Sequence, residues 1–120
     1  MIKILCFMRR KAGLSMAEFK SYYEEHHVPL IERHMAFYTE YRRNFVEERQ
    51  HETEHMVQDQ AFALPFDVLT ELTYADEAMY QKNLEALADP VIGALVRADE
   101  EQFLDRASMR VIIADERRSK

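Results

Sequence analysis

Residues 66–74, Phe-Asp-Val-Leu-Thr-Glu-Leu-Thr-Tyr, alternate in character with a period of two. That spacing sends Phe66, Val68, Leu72 and Tyr74 to one side of an extended chain and Asp67, Leu69, Glu71 and Thr73 to the other. A strand of this kind has an apolar face to cover, so it commits the chain to a sheet packed against another layer. Residues 2–9 repeat the pattern, with Ile2, Ile4, Cys6 and Met8 on one face and Leu5 and Phe7 adding apolar character to the other. Residues 38–47 and 109–113 read as two further strands, the first with many polar positions.

Helix signals fill the gaps. Lys11-Ala-Gly13 makes a turn, and Ser15-Met-Ala-Glu18 is a capping box, in which serine and glutamate each satisfy a free backbone amide. Met16, Phe19, Tyr23 and Leu30 follow at helical spacing, with Pro29 interrupting the helix. Asp76 caps a helix carrying Tyr80, Leu84 and Leu87, and Asp89-Pro90 opens another carrying Ile92, Leu95, Val96 and Phe103. Residues 48–64 are polar and poorly periodic, a long connection. The order is β-α-β-β-α-β with one extra helix, an α+β, ferredoxin-like domain over residues 1–120. Its four-stranded antiparallel sheet is covered by helices on one face only. The open face carries Leu69 and apolar residues of the first and last strands, and a homodimer is the expected way to bury it.

Composition narrows the function. A net charge of −6, with cations scattered among acids, argues against nucleic acid and against a membrane-surface patch. No stretch approaches the ~20 apolar residues of a membrane span. A single cysteine and a strand-like N-terminus point to the cytoplasm. With two glycines and no phosphate-cradling loop, no nucleotide cofactor is expected.

Chemistry concentrates at His26 and His27, where the aromatic helix face ends just before Pro29, because imidazole exchanges protons near neutral pH. Helical periodicity centres the apolar stripe on Phe19, Tyr23 and Leu30, which brings His26 nearer its middle than His27. His51-Glu52-Thr-Glu54-His55 matches a zinc-protease motif, but no amphipathic helix surrounds it and no third ligand follows, so no metal is expected. The long connection suits a lid, from which His51 or His55 could reach a ligand. Asp67, an acid opening an apolar strand, must find water, a cation or a hydrogen-bond donor.

The segment Phe19-Lys-Ser-Tyr-Tyr23-Glu-Glu-His26-His27-Val-Pro29-Leu30 resembles the His-x-Pro-Leu signature of the EthD-like family, small proteins of the dimeric α+β barrel superfamily. Leu-Pro-Phe-Asp67-Val-Leu-Thr-Glu71-Leu is similar to that family's third strand, and Tyr41-Arg-Arg-Asn44-Phe to its second. The resemblance implies a dimeric α+β barrel, and it picks out His27 as the functional histidine. Tyr41 would donate to a substrate carbonyl or enolate, and Asp67 would orient the imidazole or act as an acid. His26, His55, Asn44 and Glu71 would be ligand contacts. Members include cofactor-free dehydratases, cyclases, decarboxylases and isomerases acting on polyketide-like or aromatic-derived molecules. The expected function is therefore a cofactor-independent lyase or isomerase acting on a small carbonyl compound. A non-catalytic binding protein and a cofactor-free oxygenase are the alternatives.

Overall fold

A computed structural model describes residues 1–47, 49 and 65–120. The elements run β1 (Ile2–Arg10), α1 (Met16–Tyr22), a π-helical turn (Tyr23–His27), α2 (Val28–His34), β2 (Glu40–Phe45), β3 (Val68–Tyr74), α3 (Glu77–Ala88), α4 (Pro90–Phe103) and β4 (Leu104–Ala114). The strands form one antiparallel sheet in the order β2-β3-β1-β4, the ferredoxin-like arrangement. Among the described residues no helix is long and apolar enough to cross a membrane.

Local sequence explains most element ends. Ser15 and Glu18 form the reciprocal capping box at α1. Gly13 adopts φ +93° in the preceding turn, a conformation that residues with a Cβ rarely hold. Asp76 caps α3, and the Asp89 carboxylate accepts from the amides of Val91 and Ile92 at the start of α4. Gly93 lets α4 come down on the end of α3, since a Cβ there would stand 2.6 Å from the Leu87 carbonyl oxygen.

Register fixes the two sheet faces. Cys6 sits opposite Thr70 and Val111, Ile4 opposite Leu72, and Tyr41 opposite Leu72 on its other side. These residues face the helices. Met8, Phe19, Tyr23, Val28, Val68, Phe103 and Leu104 close the main core there, and Met35, Ala86 and Val96 form a second cluster. The opposite face carries Leu5, Phe7, Leu69 and Ile112. At one edge of that face Lys3, 6% exposed, pairs with Glu71 at 2.9 Å and with Glu116. Both carboxylates hydrogen-bond the ammonium and hold it charged, raising its pKa.

One expectation changes. Phe66 does not share a face with Val68. β3 begins at Val68, and the Phe66 ring packs edge-on against Phe7 at 5.2 Å, on the open side. Leu84, Leu87 and Leu95 are not sealed in the core; they remain 40%, 44% and 43% exposed, and edge-strand residues Val111 and Ile113 are more open still. The α3–α4 layer thus leaves part of the helix-side surface near β4 uncovered.

Candidate functional site

His27 and His26 separate sharply. An α-helix turns 3.6 residues per cycle, so an ideal wheel puts His26 about 20° from Phe19 and His27 about 80° away. The chain departs from that wheel. The Val28 amide donates to the Tyr23 carbonyl, an i→i+5 bond, and the wider turn shifts the register by one residue. Pro29, lacking an amide, cannot continue the α ladder at this point. His27 is turned inward, 7% exposed, while His26 lies at the surface against the Tyr22 ring.

The inward imidazole has a fixed partner. His27 Nδ1 lies 2.7 Å from Asp99 Oδ2, and Tyr22 donates its hydroxyl to Asp99 Oδ1 at 2.8 Å. Burial lowers the His27 pKa below its usual value, against the opposing pull of Asp99. A neutral imidazole facing a carboxylate carries its proton on Nδ1. Nε2 makes no hydrogen bond among the described residues, yet no buried side-chain nitrogen or oxygen is left unpaired, so this nitrogen opens onto accessible space. His27 lies in the wall of a cavity of about 200 Å³ between sheet and helices.

The cavity is largely apolar, walled by residues such as Ile4, Ile31, Met35, Leu72 and Met109, with polar groups set among them. Tyr23 and Thr70 share a hydrogen bond of 2.6 Å, and Tyr41 donates to the Tyr23 hydroxyl at 3.3 Å. Burial pushes the Tyr23 pKa up to about 12 and that of Tyr41 well above its usual value, so both phenols keep their protons and remain donors. Glu100 and Cys6 also line the space, and burial raises the Cys6 pKa to about 11. A buried base beside phenolic donors is equipped to take a proton from carbon and to stabilise charge forming on oxygen.

The other candidates fall elsewhere. Asp67 does not meet His27. Its carboxylate accepts the Arg10 amide at 2.8 Å and its own amide donates to the Met8 carbonyl at 2.9 Å, so it stitches the end of the sheet beside a surface groove. The position it was expected to hold, behind the imidazole, belongs to Asp99. Asn44 and Glu71 lie on the open face, where Asn44 donates to Glu71 at 2.9 Å and Lys3 pairs with the same carboxylate. His51 and His55 lie outside the described residues. Among the described residues no three His, Cys, Asp or Glu side chains are grouped to hold a metal.

Asp99 had a signal in the sequence. Ile92, Val96, Asp99 and Phe103 follow at helical spacing, so Asp99 is an acid on the apolar stripe of α4 and needs a buried partner. Replacing Asp99 with Asn should lower the His27 pKa further, because the carboxylate charge that raises it is removed while an amide oxygen can still accept from Nδ1. An NMR titration of the imidazole checks this; an unchanged or higher value would mean that the pair is not coupled in solution.

The four-stranded antiparallel sheet with helices on one face defines an α+β protein of ferredoxin-like fold. The chain belongs to the EthD domain family, whose model matches residues 11–107. It is similar in structure to an ethyl tert-butyl ether D (EthD) family protein of Bacillus halodurans, with TM-score 0.62 and 16% identity, covering 98% of this chain and 100% of that one. A crystal structure of an Arabidopsis thaliana protein matches with TM-score 0.60 and 11% identity over 100% of this chain and 99% of that one. The solution structure of that same Arabidopsis thaliana protein matches with TM-score 0.54 and 12% identity, over 99% and 88%. No curated protein matches.

Proposed function

We propose that the cavity binds a small carbonyl compound and that His27 removes a proton from the carbon beside the carbonyl, making this a cofactor-independent lyase or isomerase. The observation that carries the reading is the 2.7 Å contact of His27 Nδ1 with Asp99, which leaves Nε2 as a base facing an apolar space. Tyr41, lining the same space, would turn its hydroxyl hydrogen from the Tyr23 oxygen, 3.3 Å away, to the developing enolate oxygen. Asp99 fixes the tautomer and favours the imidazolium that forms. Loss of water or reprotonation would follow. The test is deuterium incorporation beside the carbonyl of small aryl ketones and β-hydroxy ketones in heavy water, by NMR, for wild type and His27→Gln. Incorporation that depends on His27 supports the reading. Ligand retention without exchange in either protein would favour a binding protein, and oxygen consumption would favour an oxygenase.

The working unit would be a homodimer in the cytoplasm, where a free Cys6 is at home. Ile112, 48% exposed, stands beside Leu5 on the open face, and a second copy is the natural cover for that surface. Light scattering at micromolar concentration should return twice the chain mass of 14.3 kDa. Ile112→Arg should shift it toward the monomer. A wild-type monomer would overturn the dimer.

A further inference from the structure

We propose that Glu100 is the second proton-handling residue of this cavity, acting as the acid that releases a leaving hydroxyl while His27 removes the α-proton, so that the substrate class is a β-hydroxy carbonyl compound. This deepens the reading above and rests on it.

Asp99 and Glu100 are consecutive on α4, and consecutive helix residues project about 100° apart. One reaches the π-helical turn and the other the sheet. Asp99 is bound to His27, whereas Glu100 lines the cavity and lies close enough to Cys6 of β1 to raise its pKa. The Glu100 side chain is 14% exposed, and its Oε1 accepts from Arg106 Nε of β4 at 3.2 Å. Its Oε2 has no partner among the described residues, yet no buried polar side-chain atom is unpaired, so Oε2 too meets accessible space. The charged groups acting on it are Arg106 of β4 and Asp99 and Arg97 of α4. Burial is the largest influence and raises its pKa, with Arg106 opposing. A carboxyl held this way keeps its proton to higher pH than an exposed glutamate, as an acid catalyst requires.

The step balances. His27 Nε2 takes the α-proton, and the C–H electron pair becomes the new carbon–carbon double bond by way of the enolate. The β C–O bond breaks with its pair on oxygen, which takes the Glu100 proton and leaves as water. The imidazolium then returns a proton to the carboxylate through solvent, and nothing is oxidised or reduced. Isomerisation alone would not need a second acid, so Glu100 argues for elimination.

The aldol of benzaldehyde and acetone is a suitable probe, because elimination gives benzylideneacetone, followed by its ultraviolet absorption, while deuterium uptake beside the carbonyl reports His27 separately. In Glu100→Gln, whose amide oxygen can still accept from Arg106, the ratio of elimination to exchange should fall roughly a hundredfold. Glu100→Asp should recover part of it. An equal fall in both rates, an unchanged ratio, no better elimination in the aspartate variant, or a wild type that exchanges without eliminating would each overturn the role of Glu100. A wild type that does not exchange at all would instead sink the proposed function, and this inference with it.

Discussion

His27→Gln is expected to lower the rate of α-proton exchange by roughly 10²–10⁴-fold, the usual contribution of a positioned general base. Glutamine keeps a donor for Asp99 and much of the side-chain volume, so the loss would report the base rather than a collapsed wall. The pH profile should carry the same signature. Only neutral His27 can accept a proton, and burial holds its pKa below the usual value. Exchange should therefore rise with pH through that depressed pKa and level off before neutrality. A profile still climbing above about pH 7, past the reference imidazole pKa of ~6.5, would mean that another group is the base.

The same group contributes to stability with a defined sign. The unfolded chain takes up a proton at His27 near pH ~6.5, while the folded chain resists until a lower pH. Between those two values the unfolded state binds more protons. The stabilisation from neutral His27 is thus complete above the unfolded pKa and is lost as pH falls through the folded one. Urea unfolding of wild type and His27→Gln at several pH values should show the gap changing in that window.

Phe103→Ala carries the largest expected cost to the fold itself, about 3–5 kcal/mol, from lost burial and the cavity left behind. Phe103 is 0% exposed, the last residue of α4, and its ring meets His27, Tyr22, Tyr23 and Phe19 at centroid distances of 4.9, 5.1, 5.3 and 5.8 Å. Its carbonyl also accepts the Lys11 amide at 2.8 Å, tying α4 to the end of β1. Small domains commonly have only 5–15 kcal/mol of stability in total, so chemical denaturation should show a large drop in midpoint. Phe103→Leu, which keeps most of the volume, should cost much less. A loss below about 1 kcal/mol for the alanine variant would mean that the surrounding rings close over the gap, at odds with a rigid cluster.

Much of the architecture was written in short stretches of chain. Alternation in residues 2–9 and 66–74 specified two strands, and the Ser15–Glu18 and Asp89–Pro90 signals placed helix starts where they occur. Period-two patterning and capping act between residues a few positions apart, so they can be read without knowing the fold. The His-x-Pro-Leu likeness likewise pointed to the right family and to the histidine that turns inward. Phe66 shows where this ends. It continues the alternation in sequence, but the strand starts after it and the ring is captured by Phe7, 59 positions away along the chain.

The candidate site was legible by half. Sequence patterning identified a strand alternating its faces, a helix with an aromatic stripe and a histidine pair before proline. Which histidine faces inward depended on one i→i+5 bond, because a single extra residue in a turn rotates everything beyond it. The partner of that histidine was decided by the packing of α4 against the π-helical turn, which brings Asp99 to His27 across 72 residues, while Asp67 is held by the Arg10 amide. Strand and helix starts follow from interactions between near neighbours, so they are encoded locally in the chain. The His27–Asp99 pair and the cavity it faces exist only where distant segments meet, so tertiary structure alone decided them.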